Sequence, residues 1–291
     1  MKAQQPEKRQ VDVNLNTHSD REFPMTGHDF KIIVEIANEI TGIQLGDHKR
    51  DMVYGRLVRR MRALGLPGCR EYCEYLQANP DKEMTEFVNA ITTNLTAFFR
   101  EPHHFEYLED TVFPRLQKSN MGSRRVRIWS AGCSTGEEPY SIALLMKRFF
   151  PAPNWDAKLL ATDLDSNVVA KAHSGVYDEN RIETLDDDLK RKWFMRSPSS
   201  DQVKIKPEIQ KQITFKQLNL LHEWPMKGPF DVIFCRNVVI YFDKPTQRIL
   251  FDRYANMLRP DGYLFIGHSE SLHNVTDRFE SLGRTIYRRV K

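Results

Sequence analysis

The chain has 291 residues, and 43 lysines and arginines against 39 aspartates and glutamates leave a net charge of +4. Apolar residues at 40% and aromatics at 11% are enough for a packed core at this length, which excludes a disordered or low-complexity chain. No run approaches the roughly 20 apolar residues of a membrane-spanning helix, the N-terminal segment lacks the apolar stretch of a secretory signal, and the charge is too small to indicate nucleic acid. Among the four cysteines, Cys69 and Cys73 lie one helical turn apart and Cys133 and Cys235 are isolated. With no C-x-x-C pair and no Cys/His cluster at zinc spacing, they read as reduced thiols of a cytoplasmic protein, and no metal is expected.

In chain order, residues 1–24 are polar and aperiodic and read as a flexible tail. Residues 25–101 read as a helical domain. Thr26 can cap a helix whose apolar side runs Ile32, Ile33, Ile36 and Ile40, and Gly42 and Gly46 mark its end. A second helix is predicted over 47–64, stopped by Gly65, Pro67 and Gly68. Two more, over 69–78 and 81–92, are split by Asn79 and Pro80, and a linker helix follows over 102–120. From residue 121 to 291 strands alternate with helices. Strands are predicted over 126–130, 158–162, 230–235, 262–266 and 285–290, and helices over 137–150, 166–173 and 245–258. That alternation gives an α/β fold with a mostly parallel sheet covered on both faces, whose ligands bind at the carboxyl ends of the strands near the switch in strand order. Residues 193–216 break the pattern. There Val203-Lys-Ile-Lys and Gln212-Ile-Thr-Phe-Lys suggest a small antiparallel β insert.

The loop after the first predicted strand, Ser130-Ala-Gly-Cys-Ser-Thr-Gly-Glu-Glu-Pro-Tyr140, carries the chemistry. Gly132 and Gly136 permit a tight turn and close approach of a ligand, though a G-x-x-x-G can equally be a bare turn. Glu137 and Glu138 occupy the helix N-terminus where a dinucleotide site would seat its pyrophosphate. Two carboxylates there suit the helix dipole and repel phosphate, so a cationic ligand such as S-adenosylmethionine is the better match. The absence of G-x-G-x-x-G also argues against NAD. Asp163 ends the second strand 27 residues beyond Gly136, where an acidic residue of a nucleoside site accepts from ribose hydroxyls; the alternative is an ordinary helix cap.

Several longer motifs resemble one family. Ile91-Thr-Thr-Asn-Leu-Thr-Ala-Phe-Phe-Arg100-Glu-Pro-His-His-Phe105, the 130–141 loop, Phe234-Cys-Arg-Asn-Val-Val-Ile-Tyr-Phe-Asp243 and Leu258-Arg-Pro-Asp-Gly-Tyr-Leu-Phe-Ile-Gly-His-Ser-Glu270 are similar in order to bacterial chemotaxis receptor methyltransferases, the CheR family. The resemblance spans about residues 25–290. It implies a class I S-adenosylmethionine-dependent methyltransferase domain, Rossmann-like, behind an N-terminal all-α domain, and methylation of glutamate side chains on chemoreceptors to glutamyl methyl esters and S-adenosylhomocysteine. Carried over position by position, it places cofactor contacts at Asn94, Thr96, Arg100, Glu138, Asp163, Asn219, Leu220, Asn237 and Val238. Arg100 offers a fork for a carboxylate, Glu138 suits an ammonium, and Asn219 suits the adenine. Arg100 and Tyr241 are the catalytic candidates, although an aromatic in Val-Ile-Tyr-Phe is commonly core. No base is required, because a glutamate is ionised at pH 7. His103, His104, His268 and Cys133 are therefore assigned packing or capping roles.

Residues 1–100 balance 14 basic against 14 acidic residues, yet Lys49, Arg56, Arg59 and Arg60 fall at helical spacing on one side of the second helix. A solvated face would look the same. With the resemblance, Arg56, Arg59 and Arg60 are expected to dock the acidic cytoplasmic methylation helices of a receptor, which implies a cytoplasmic protein recruited to membrane-bound receptor arrays. Relatives whose β insert binds a receptor tail peptide favour a glycine-rich turn. Here the turn is Arg196-Ser-Pro-Ser-Ser-Asp201, so tail binding is not expected. A nucleic-acid methyltransferase is disfavoured, since Asn237-Val-Val-Ile-Tyr replaces N/D-P-P-Y/F and Cys235 follows Phe234 rather than proline. The remaining alternatives are a non-catalytic sensor or adaptor that binds the cofactor and a methyltransferase acting on another protein or RNA.

Overall fold

A computed structural model describes residues 21–291, so most of the tail expected over 1–24 lies outside the described residues. The first layer is helical. Helix α1 (Gly27–Thr41) opens on a capping box in which Thr26 Oγ1 accepts from the Asp29 amide and the Asp29 carboxylate accepts from the Thr26 amide. It ends at Gly42 with φ 71°, the left-handed cap that glycine adopts without strain. Its buried line runs Phe30, Ile33, Ala37 and Thr41, one position round from the predicted stripe. Ile32, Ile36 and Ile40 are half-buried at its margin, because α1 packs against two neighbours and its apolar sector is wide. The others are α2 (Arg50–Leu64, entered through a 3-10 turn at Asp47–Lys49), α3 (Cys69–Ala78) and α4 (Pro80–Ile91). They share a core that includes Leu57, Met61, Tyr72 and Phe87. Burial pushes the thiols of Cys69 and Cys73 up to about 11 and about 12, which keeps them protonated and inert.

Among the described residues two carboxylates are buried in this layer, Asp29 in the α1 capping box and Glu83 of α4. Glu83 is 2% exposed and accepts from Arg60 Nε at 2.9 Å, Arg60 Nη2 at 2.7 Å and the Tyr72 hydroxyl at 2.9 Å. Arg60 also meets Glu86 at 3.3 Å. This arginine, expected on a docking face, staples α2 to α4 instead.

The segment expected as a linker forms α5 (Pro102–Tyr107), a π-helical turn (Leu108–Val112) and α6 (Phe113–Ser119). Its Phe105, Leu108, Val112, Phe113 and Leu116 belong to the core beneath the sheet, and Phe105 stacks on Phe234 at 6.1 Å. The chain then runs through β1 (Arg125–Ala131), α7 (Glu137–Phe149), β2 (Asp156–Asp163), α8 (Ser166–Ser174), β3 (Val176–Asp178), α9 (Asp187–Trp193), β4 (Phe194–Arg196), β5 (Gln202–Ile205), α10 (Pro207–Gln210), β6 (Ile213–Gln217), β7 (Phe230–Cys235), α11 (Lys244–Met257), β8 (Leu258–Ile266), β9 (Phe279–Gly283) and β10 (Ile286–Arg289). The main sheet has the order β6-β2-β1-β7-β8-β10-β9. It is parallel except at β10, which runs antiparallel to both β8 and β9. After β1 the chain builds outward through β2 to β6, then returns to β7 on the other side of β1. The switch point therefore lies between β1 and β7, at the ends of the two strands that precede the Gly132 and Asn237 motifs.

The insert differs from the expectation in two respects, the first being that its strand β3 lies ahead of the expected bounds of 193–216. Its strands are β3, β5 and β4, antiparallel in that order, so Val203-Lys-Ile belongs to it. Gln212-Ile-Thr-Phe-Lys does not, because β6 pairs in parallel with β2 and closes the edge of the main sheet. Alternation of apolar residues in a short edge strand looks the same in either sheet. Helices α9 and α10 and strand β9 were also not anticipated. They are short, and α9 buries no residue, so its sequence shows no apolar period. Among the described residues no helix is long and apolar enough to cross a membrane.

Removing Glu83 would strand Arg60 and Tyr72 inside the helical layer. Glu83→Ala should cost about 3 kcal/mol, read as a lowered urea midpoint at unchanged slope, whereas Glu86→Ala, on the exposed half of the same cluster, should cost under about 1 kcal/mol.

Candidate active site

The carboxyl ends of β1, β2 and β7 open into a cavity walled on the far side by Thr41, Ile43, Leu45, Lys49, Met52 and Ile91 of the helical layer. Asn94, Thr96, Arg100, Glu138, Asp163, Asn219, Leu220, Asn237, Val238 and Tyr241 all line it. These residues come from five separate stretches of chain, brought together by the switch point and by the helical cover.

Gly132 (φ 104°) and Gly136 (φ 101°) make the β1–α7 turn. A Cβ on Gly132 would sit 2.3 Å from Val238 Cγ2, so glycine is required there for the β1 and β7 loops to approach each other. Asp163 ends β2 with one oxygen accepting from the Ser134 amide at 2.8 Å and the other from the Asp165 amide at 3.1 Å. Burial pushes its carboxyl up to about 6 against the pull of those amides. The helix-cap role falls to Asp165 instead, which accepts from the Asn167 and Val168 amides. Asp165 also accepts from Thr92 Oγ1 at 2.8 Å and Asn94 Nδ2 at 2.7 Å, tying the end of the helical layer to the start of α8.

The two carboxylates at the α7 N-terminus each have an arginine. Glu137 pairs with Arg181 of the segment after β3, and Arg181 also donates to the Thr96 carbonyl. Glu138 accepts from Ser130 Oγ at 2.8 Å and from Arg236 Nη1 at 3.1 Å, and burial raises its carboxyl above the ordinary range. Only Glu138 faces the cavity, and Arg236 offsets part of the negative charge read from the sequence.

Arg236 is the residue the sequence reading missed. Its side chain is 2% exposed; besides Glu138 it approaches Glu101 Oε2 at 3.4 Å and donates to the carbonyl of Arg100. A signal was present: an arginine directly after the fully buried strand Phe-Asp-Val-Ile-Phe-Cys must find buried partners. Glu270 was missed as well. It accepts from the backbone amides of Gly267 at 2.5 Å, Asn237 at 3.0 Å and Ile240 at 3.2 Å, and so fixes the turn in which Asn237 takes φ 58°.

The remaining candidates are placed as follows. Arg100 is half-buried and donates Nη1 to the Leu95 carbonyl at 2.7 Å, which folds the 95–100 loop over the cavity. Asn219 spends its side chain within the protein, donating to the Ile40 carbonyl at 2.8 Å and accepting from the Leu221 amide at 2.9 Å. It follows β6 of the main sheet, not a strand of the insert. Tyr241 is half-buried with Lys49 Nζ 5.0 Å from its ring centroid, and its carbonyl accepts from the Gln44 amide at 2.8 Å. Of the histidines, His104 is fully buried and neutral, burial pushing it down to about 4. His268 does not pack: it is exposed, with Nδ1 3.0 Å from Glu101 Oε1. Arg56 turns inward and donates to the carbonyls of Ile91 and Thr92 and to Thr93 Oγ1, while Arg59 is exposed.

Comparison with known proteins agrees with this arrangement. Residues 28–92 match the model described as "CheR methyltransferase, all-alpha domain" and residues 94–288 the one described as "CheR methyltransferase, SAM binding domain". The chain is 46% identical to a "Probable chemotaxis protein methyltransferase" of Rhizobium etli over 85% of this chain and 94% of that one. It is 42% identical to "Chemotaxis protein methyltransferase 2" of Pseudomonas aeruginosa over 92% and 95%, and 44% identical to the "Chemotaxis protein methyltransferase" of Salmonella typhimurium over 89% and 88%. A parallel sheet with its cavity at the β1/β7 switch, a helical cover and these matches over both layers place the chain in the CheR methyltransferase family.

Proposed function

We propose that this S-adenosylmethionine-dependent chemotaxis methyltransferase esterifies glutamate side chains on the cytoplasmic methylation helices of chemoreceptors, at receptor arrays. The observation that carries the reading is the chemistry of the cavity wall. It offers a guanidinium and a phenol, Arg100 and Tyr241, close to an exposed rim, and among the described residues no histidine lines it. A substrate that is already an anion needs to be oriented and stripped of water, not deprotonated.

The cavity's donor set fits the cofactor. Asp163 keeps lone pairs for ribose hydroxyls, and Glu138 can take an ammonium. Arg100 can pair with a carboxylate, and Ile43, Leu45, Ile91 and Leu220 supply apolar wall for a purine. When bound, S-adenosylmethionine supplies the methyl group on a sulfonium. Transfer of that methyl to the substrate carboxylate would leave a methyl ester and a neutral thioether. Arg100 and Tyr241 hold the attacking carboxylate in line. Leu95, 76% exposed on the rim, offers apolar surface to a helix presenting that glutamate.

Docking rests on less of α2 than its sequence suggests. Arg60 is held by Glu83 and Arg56 by the end of α4, so Arg59 carries the contact with an acidic receptor helix. The glycine-free β4–β5 turn gives no support to strand addition by a receptor tail.

The direct test incubates the protein with labelled cofactor and chemoreceptor-bearing membranes. Base-labile label on the receptor is expected, and base-stable label overturns the reading. Arg59→Glu should lower receptor methylation about tenfold, a loss of about 1.4 kcal/mol, at unchanged cofactor affinity; equal loss of both would remove Arg59 from docking. A second prediction concerns pH. Asp163 titrates near 6 and accepts ribose hydroxyls best when ionised, so cofactor affinity should fall as pH drops through 6. In Asp163→Asn, equilibrium binding should be weak and flat across that range.

A further inference from the structure

Glu101, His103 and His104 lie at the start of α5, behind the cavity wall, and the reaction above uses none of them. One ligand-capable atom from each lies within 4.8 Å of the others. Among the described residues Glu101 Oε2 and His104 Nδ1 are buried without a hydrogen-bond partner, on side chains 9% and 0% exposed, and the two atoms are 3.6 Å apart. Buried polar atoms are normally paired, and three features of this pair are informative.

The first is the tautomer. His104 Nε2 lies 3.0 Å from the Arg284 carbonyl oxygen, which can only accept, so Nε2 carries the proton. Nδ1 then presents a bare lone pair to a carboxylate. The second is the distance. At 3.6 Å a direct hydrogen bond is ruled out, and a single water donating a proton to each acceptor would hold them about 4.4 Å apart. Two ligands about 2.1 Å from one tetrahedral ion stand about 3.4 Å apart. The third is the outer shell: a metal-bound imidazole normally donates its other N–H to a backbone carbonyl or carboxylate, as Nε2 does here. Arg236 lies 3.4 Å from the same Glu101 oxygen, but it is shared with Glu138. One guanidinium between two carboxylates leaves one net negative charge for a cation to meet.

We propose that Glu101, His103 and His104 form a binding site for a divalent transition-metal ion of the zinc class, with Glu101 Oε2, His104 Nδ1 and a ring nitrogen of His103 as ligands. Two imidazoles and one carboxylate select zinc, nickel or copper over magnesium or calcium. His268, whose Nδ1 is 3.0 Å from the other Glu101 oxygen, orients the carboxylate from the solvent side. A scan for Cys/His spacing passes over this site because two ligands are adjacent histidines and the third is a glutamate.

The test titrates zinc chloride into the tag-free, chelator-stripped full chain by calorimetry, with cobalt(II) absorption as a second readout. One tight site is expected, with visible cobalt bands and a raised melting temperature. His103→Ala, which changes a half-buried ring, and Glu101→Gln, which keeps the shape and removes the charge, should each weaken zinc at least about tenfold while their metal-free circular dichroism matches the parent. His273→Ala, at an exposed ring elsewhere, should bind as the parent does. No zinc binding by the parent, undiminished affinity in His103→Ala or Glu101→Gln, or loss only in His273→Ala would each overturn the proposal.

Discussion

A guanidinium removed from water is tolerated only where opposite charge and acceptors surround it, since its uncompensated burial costs several kcal/mol. Arg236 sits under that constraint at the end of β7, and the geometry around it follows. Glu138 brings in the first turn of α7, Glu101 the start of α5, and the Arg100 carbonyl the loop that covers the cavity. Two stretches distant from β7 in sequence, residues 100–101 and the first turn of α7, are thus fixed to one buried charge. Arg100 and Glu138, which line the cavity, are held by their backbone or carboxylate to a neighbour that also lines it.

A second anchor works without an ion pair. Glu270 accepts from three backbone amides around the 236–241 turn, holding Asn237 in a left-handed conformation that a non-glycine residue seldom adopts. Tyr241 and Val238 are presented from that turn. The helical layer completes the enclosure through Asn219 to Ile40, Gln44 to Tyr241, and Thr92 and Asn94 to Asp165.

Much of this was legible in the sequence, for identifiable reasons. Helices α2, α3 and α4 carry strong punctuation in Gly65, Asn79 and Pro80, and β1, β2 and β7 are apolar runs too short to be helices. Half of the candidate site was legible because Glu138, Asp163, Asn237, Val238 and Tyr241 lie at or just past the ends of those strands. Contacts between side chains far apart in sequence were not. Nothing local shows that Arg60 folds back on Glu83 or Arg56 on the end of α4, so a basic helix side reads as free when most of it is engaged. Strand β6 was seen but given to the wrong sheet, because a two-residue period reports burial of one face and says nothing about the neighbour. Arg236 and Glu270 lie inside motifs whose local pattern gives them no role, because their partners lie on other elements.

The tether from Asn219 to the Ile40 carbonyl joins residues 179 positions apart. A cavity whose two walls are contributed by such distant segments has no partly folded precursor: neither layer alone presents a complete lining. Closing it carries the entropy of a long loop and comes late in folding. Occupancy of the cavity therefore stabilises the junction between the layers more than either layer itself, and the cofactor acts as the last structural element of the fold.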